Sequence, residues 1–444
     1  MDCITEGVTP FKNTLLIWLV PAVCSAQLSL GTSPSAPRHD AISPPEAATP
    51  TATPLTLDEA VAMAGRNNPR IRGAAAYTAR ADAAAQTAAA YTNPSVEVFM
   101  GQQYGRSVPS PGVPGLLQHY AVYQPIEIPT ERRARQRIAE LGRQSSRFGE
   151  AGVLRSVSAD AKHAFYAVLR SREEVDHTKE NLNLVEDLRR RVEVEVNLGE
   201  KGRLELTRAE AEYAQASFAV RSAQLEASNA IALLRLALAA PQDADLNPQG
   251  ALAGRVQLPP LSELREIVLR SHPAVSQSQV DVQTAQATLD HERKLRLPRP
   301  IAFAEYENQP DVRYWRTGIT IPIPLTDRRR GLIEDAKATI SQNQALLDQR
   351  RLELISATER SYEQYQLADQ QATSLESGQL RAAESAVEAA QAAYRFGERG
   401  LVEVLDAQRV LQAVRGDLLD AQFARQSALI DLEELGAYTP GGKP

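Results

Sequence analysis

The chain is poor in the residues that enzymes and thick globular cores rely on. Of 444 residues only two are cysteines, Cys3 and Cys24, and aromatic residues make up 5%. So few rings favour thin helical layers with small-residue contacts over a deep core. No run of 18 apolar residues occurs, so no helix is expected to span a bilayer. Positive charge is not in excess either: the net charge is -6, with Lys and Arg scattered among acids, which argues against a nucleic-acid partner. There is no Walker loop, no His-Glu-x-x-His pair and no nucleophile elbow. His163, His177, His272 and His291 stand alone, and His291-Glu292 lacks a metal-ligand spacing. The chain therefore reads as a non-enzyme with no catalytic residue, no resident metal and no cofactor.

What is present is an address. Lys12 precedes the apolar run Leu15 to Val23, and Cys24-Ser25-Ala26 follow it, so residues 1–26 read as an export signal. Nine apolar residues are too few to cross a membrane, which takes about 20. Cleavage after Ala26 would remove both cysteines; the alternative is a lipoprotein carrying its lipid on Cys24. Residues 27–54, rich in Pro, Ser, Thr and Ala, read as a tether.

From residue 55 the chain says nearly the same thing twice. Leu57 to Pro69 recurs as Leu261 to Pro273, and Ile126-Glu-Ile-Pro129 as Ile321-Pro-Ile-Pro324, each of the latter before an Arg-rich stretch. Leu198-Gly-Glu-Lys-Gly202 recurs as Phe396-Gly-Glu-Arg-Gly400. The offset is about 200 residues each time, giving two repeats, 55–254 and 255–438, before a tail at 439–444.

Each repeat predicts the same order of elements. A helix broken at X-Pro leads into alternating segments, 95–103 and 119–128 in the first repeat, 301–306 and 312–323 in the second. Proline is absent from Thr130 to Asn197 and from Thr326 to Arg395, which predicts two helices on the order of 100 Å long. Heptad columns run along both: Leu154, Ala161, Val168, Val175, Leu182 and Val196 in one, and Ile333 through Leu354, Ala368, Leu375, Ala382 and Ala389 to Phe396 in the other. Gly199 and Gly397 then fit left-handed caps, after which a second helix returns. In the last strand Trp315, Ile319, Ile321 and Ile323 share one face and Arg316 and Thr320 the other, the pattern of an outer-membrane strand with its apolar side toward lipid. Four strands are too few to close a barrel, so several copies are needed.

The strand end Gln124-Pro-Ile-Glu-Ile-Pro129, the helix start Glu131-Arg-Arg-Ala-Arg135 and the run Phe396-Gly-Glu-Arg-Gly-Leu-Val-Glu-Val-Leu-Asp-Ala-Gln408 resemble the TolC family of outer-membrane efflux proteins. The resemblance spans about residues 55 to 438, and the Arg208-Ala-Glu-Ala stretch is most similar to its CzcC-like, heavy-metal branch. It implies a mainly α fold with a small β part: tandem helical hairpins forming a periplasmic α-barrel, and four strands per protomer in a trimeric 12-strand outer-membrane barrel. It implies a homotrimer in the outer membrane of a Gram-negative bacterium, in contact with lipid. Its implied partners are a periplasmic adaptor and an inner-membrane resistance-nodulation-division pump.

By that resemblance the gate falls on Tyr394 and Arg399, with Glu205 as acidic partner and Glu403 and Asp406 lining the constriction. Arg399 and Glu205 would pair across neighbouring hairpins. The turns Gly199, Glu200, Lys201, Gly202 and Arg203, and Gly397, Glu398, Gly400 and Leu401, would dock the adaptor. Two other readings stand beside this one: the same channel exporting drugs or a secreted protein, and a non-conducting periplasmic coiled-coil adaptor.

Overall fold

A computed structural model describes residues 54–104, 114–252 and 255–438. The expected signal segment, the tether up to residue 53, the loop at 106–113 and the tail at 439–444 lie outside the described residues.

A short strand, β1 (Pro54–Leu55), leads into α1 (Leu57–Asn67) and α2 (Pro69–Ala89). Strands β2 (Ser95–Gln103) and β3 (Gly115–Pro125) form a hairpin, and the 69-residue α3 (Pro129–Asn197) and α4 (Arg203–Leu238) form a long helical one. After β4 (Asn247–Pro248), which pairs with β1, the plan repeats. It runs through α5 (Leu261–Ser271), α6 (Pro273–Lys294), β5 (Ile301–Asn308), β6 (Arg313–Thr320), α7 (Arg330–Ser374), α8 (Leu380–Arg395) and α9 (Leu401–Glu434).

The four longer strands make one antiparallel sheet in the order β2-β3-β5-β6, joined where the two repeats meet at β3 and β5, while β1 and β4 form a separate parallel pair. Each strand continues into a helix, so the adjoining layer has the matching order α2, α3, α6, α7. Beyond it α4 packs on α3, α3 on α9, and α9 on α7 and α8. Both layers therefore end in one element of the first repeat and one of the second. The middle is fixed by two equivalent cores: Ala60, Ala64, Phe165, Val168, Leu234 and Leu238 in the first repeat, and Leu264, Val268, Leu354 and Leu432 in the second.

The expected elements are all present, with shifted ends that have physical causes. Strand β3 stops at Pro125 instead of reaching 128, because Pro129 opens α3 and proline at a first helical position gives up no needed N–H. β6 ends at Thr320 rather than 323, since Pro322 and Pro324 cannot donate to a ladder. α7 starts at Arg330, not 326: Asp327 accepts a hydrogen bond from the Arg329 N–H at 2.8 Å and turns the chain into the helix.

The largest departure lies inside the second long helix. A five-residue π-turn, Leu375–Gln379, separates α7 from α8. Such a turn inserts one extra residue into the helical phase. Leu354, Ser361 and Ala368 of the heptad column are buried, but Ala382, Ala389 and Phe396 are exposed, and the buried positions beyond the π-turn are Ala383, Val387 and Tyr394. The column is displaced by one residue.

Candidate functional site

The end of the helical layer is where four helices meet. Leu188 and Val192 of α3, Ala209 of α4, Tyr394 of α8, and Leu401, Val404 and Leu405 of α9 form one buried cluster. The turns that close it are matched in detail. Gly199 (φ 81°) donates to the Val196 carbonyl and Glu200 to Glu195; Gly397 (φ 72°) donates to Tyr394 and Glu398 to Ala393. Both are Schellman motifs with glycine in the left-handed position that a side chain would strain.

Of the residues implied for the gate, Tyr394 is buried and its hydroxyl donates to Glu195 Oε2 at 2.7 Å, tying α8 to α3. Burial first, and then the Glu195 carboxylate, push the phenol well above its usual pKa. The Lys201 ammonium lies 5.3 Å from the ring centroid. Glu205, on α4, is half-buried, and its Oε2 has no hydrogen-bond partner among the described residues. Arg399 is exposed and has no carboxylate within 4 Å among the described residues. Glu403 and Asp406 are both exposed, one turn apart on α9. One chain thus brings Tyr394 and Glu205 to one side of the tip cluster and leaves Arg399, Glu403 and Asp406 open to solvent.

Sequence reasoning missed Glu195. A signal was available: Tyr394 and Val196 occupy equivalent places in the two repeats, so a pseudo-symmetric crossing brings each beside its counterpart's neighbour.

At the other end the sheet has two unlike faces. Val98, Tyr120, Tyr306 and Trp315 lie side by side in register on one face, with Val96, Val122 and Ile319 beside them, all exposed. The opposite face carries Glu97, Ala121, Glu305 and Arg316 in one row and Phe99, His119, Glu307 and Tyr314 in the next. There Arg316 binds Glu305 and Tyr314 donates to Glu307. Ile321 and Ile323 continue beyond the ladder and are also exposed. Gly318 leaves room for the Phe303 ring, since a Cβ there would stand 2.7 Å from its Cζ.

Two families of arginines sit where strands hand over to helices. Arg135 binds Glu127 and the carbonyls of Ala88 and Ala90, and Arg132 binds Ala89 and stacks 3.9 Å from the Tyr91 ring centroid. These cations complement the carbonyl-rich end of α2. In the second repeat Arg329 binds Glu292, and Arg299 binds the buried Glu131.

This architecture is that of known channels. A model of the family described as Outer membrane efflux protein matches residues 264–436. The cobalt-zinc-cadmium resistance protein CzcC of Cupriavidus metallidurans is 26% identical over 412 residues, 90% of this chain and 91% of that one. Residues 264–436 thus carry the sequence pattern of the outer membrane efflux protein family, and the likeness to CzcC runs through both repeats. The fold of this chain matches CusC (TM-score 0.73, 18% identity, 85% of this chain and 91% of that chain). It also matches the Neisseria gonorrhoeae MtrE outer membrane channel in its open state (TM-score 0.73, 17% identity, 86% and 88%). At that identity the likeness is one of fold. An outer membrane efflux protein is a channel, not an enzyme, and transport is accordingly the coarse function of this chain.

Proposed function

We propose that the chain is the outer-membrane member of a three-part efflux assembly and passes divalent metal cations from the periplasm to the outside. The observation that carries this reading is the similarity to CzcC over nine-tenths of both chains. Partners in this reading are a periplasmic adaptor, docked at the turns 199–203 and 397–401, and a proton-driven inner-membrane pump of the resistance-nodulation-division class.

A homotrimer is supported by the open edges. Among the described residues β2 and β6 each have one unpaired side, and an exported chain cannot leave such edges bare. The outermost helices carry exposed apolar residues as well: Leu204, Phe218, Leu225 and Leu236 on α4, and Leu332, Leu346 and Leu352 on α7. Joining the first-repeat edge of one copy to the second-repeat edge of the next is a heterologous contact, which closes into a ring. Three copies of four strands give twelve, a number membrane barrels use.

At the tip of such a ring Glu403 and Asp406 would repeat as circles of like charge that draw cations. Glu205 with its unpartnered oxygen and the exposed Arg399 of a neighbour would form the lock that keeps the tunnel shut. Deletion of the gene, with complementation, tests the cargo. The expected result is sensitivity to cobalt, zinc and cadmium without sensitivity to hydrophobic drugs. The reverse pattern would replace the metal reading with drug export, and crosslinking from the tip turns that captures no adaptor would remove the docking assignment.

A further inference from the structure

The arginines at the strand-to-helix junction divide into two sets within one motif. Arg132, Arg135, Arg299 and Arg329 are engaged with carboxylates, carbonyls or a ring. Arg133, Arg137, Arg328 and Arg330, interleaved with them, are exposed, and their side chains make no hydrogen bond or ion pair among the described residues. Both repeats place such free cations at the start of a long helix, α3 or α7, where the positive end of the helix dipole opposes them. A cation at the wrong helix end, twice, calls for an anion from outside.

The surroundings say which anion. The exposed apolar face of β6 and the segment after it, Ile319, Ile321, Ile323 and Leu325, runs directly down to Arg328, and Leu325 is 75% exposed. At its far end the same face carries the aromatic row Tyr120, Tyr306 and Trp315. From Trp315 to Ile323 is about 27 Å of extended chain, comparable with the apolar band of about 25 Å that a membrane barrel shows to lipid. Tyr91, exposed at the junction, supplies the ring expected at an interface. An apolar band bounded by rings on one side and by free arginines on the other has the profile of a bilayer edge.

We infer that Arg133, Arg137, Arg328 and Arg330 form a collar that binds the phosphate headgroups of anionic phospholipids in the periplasmic leaflet. Guanidinium forks fit phosphate oxygens in pairs. The collar fixes the depth at which the channel sits, and so the height from which its helical layer reaches toward the adaptor. The inference rests on the lipid-facing reading of the sheet and is independent of cargo.

The test uses the full chain in vesicles of phosphatidylethanolamine with or without phosphatidylglycerol, and measures phospholipid retained through detergent washing. The wild-type chain is expected to enrich phosphatidylglycerol. Arg133→Gln with Arg137→Gln, and separately Arg328→Gln with Arg330→Gln, are expected to lower that enrichment about fivefold for each arginine removed. The matching lysine variants, which keep the charge, should restore most of it and show that the glutamine variants fail through charge and not through folding. Equal retention of the two lipids by the wild-type chain would overturn the collar. So would displacement of phosphatidylglycerol by inorganic phosphate at equal concentration, which would indicate a free-anion site. Glutamine variants that alter ion selectivity while retaining lipid would place these arginines in the tunnel instead. A wild-type chain that enters neither kind of vesicle would remove the lipid-facing reading itself, a failure recognisable before any variant is compared.

Discussion

The two repeats build the same hairpin by different means. α3 runs unbroken for 69 residues, whereas its counterpart is α7, a π-turn and α8. The first copy keeps one helical phase from the junction to the tip; the second changes phase at Leu375–Gln379 and presents Tyr394 instead of Phe396 to the tip cluster. Nearly all the chemistry at the tip, Tyr394, Arg399, Glu403 and Asp406, lies beyond that change. Duplication supplies a rigid wall, and one added residue in one copy re-aims the other.

Adding one more residue is the strongest way to break the comparison. An alanine inserted after Leu380, beyond the π-turn, would rotate everything past it by about 100°. Val387 would leave its packing against Leu411, and Tyr394 would leave the tip cluster. The expected loss is about 3–5 kcal/mol, the scale of emptying an aromatic core position, seen as fast hydrogen exchange in the peptides around 190–210 and 390–410. Deleting Gly378 should cost far less, because it takes out the extra residue, makes α7 and α8 continuous and leaves Ala383, Val387 and Tyr394 on the buried face. Gly378→Ala serves as the control. Nothing lies within 4 Å of a Cβ there, so no comparable loss is expected, and a large one would mean the glycine itself, not the residue count, sets the phase.

Next in size is the bond that fastens the re-aimed helix to the unbroken one. Tyr394→Phe removes a donor to a carboxylate, which costs about 1.5–3 kcal/mol. It and Glu195→Gln should each raise the conductance of the closed channel, with the double variant no worse than the more severe single one, because they cut the same link. Arg399→Ala should also raise it, but additively, since that lock would lie between copies. Unchanged conductance in all three would count against a gate at this tip. An additive Tyr394 and Glu195 pair would say that the bond carries no coupling.

The X-Pro breaks differ in a way that pH can read. Asn68 caps α2 by accepting the Arg70 N–H at 2.9 Å; His272 caps α6 by accepting the Ala274 N–H on Nδ1 at 3.1 Å. Accepting requires a neutral ring. Burial, and then Arg155 and Arg350, hold its pKa down at about 4, against 6.5 for a free histidine. Because the folded-state value lies below the unfolded one, the unfolded chain binds the proton more tightly, so stability is complete above pH 6.5 and is lost as pH falls toward 4. The loss at pH 5 is about 2 kcal/mol. His272→Asn should flatten thermal stability between pH 7 and 5, whereas Asn68→His should introduce a new slope in the first repeat. A His272→Asn chain that keeps the full slope would assign the acid sensitivity elsewhere.

Much of this was legible from the residues. The X-Pro breaks, the two glycine caps and the strand alternation each follow from a local rule: proline lacks a donor, left-handed φ favours glycine, and side chains alternate along a strand. The π-turn was not legible, because nothing in Leu375-Glu-Ser-Gly-Gln379 forbids an ordinary helix; the extra residue shows only in how the chain packs. Glu195 was missed for a similar reason: it looks like any solvated helical acid until α8 is laid against α3. The Arg-rich junctions were read as a single basic motif, and only geometry separates the engaged arginines from the free ones.

The smallest difference between the repeats is also the easiest to erase. α1 begins with a complete capping box: the Glu59 N–H donates to Thr56 Oγ1, and the Glu59 carboxylate accepts from the Thr56 N–H at 2.9 Å. α5 has the corresponding acid, Glu263, but Pro260 at the cap position has neither a hydroxyl to accept with nor an N–H to donate. The backbone there is already extended (φ -60°, ψ 147°), as a capping threonine needs. Thr56→Ala is expected to cost about 1 kcal/mol, and Pro260→Thr to gain up to about the same by completing the second box, offset in part by the added freedom of the unfolded chain. Thermal unfolding of the two variants and their combination would check both. A gain from Pro260→Thr would mean that the repeats differ at this position by side chain alone; a loss would mean that the proline's rigidity outweighs a cap in the second copy.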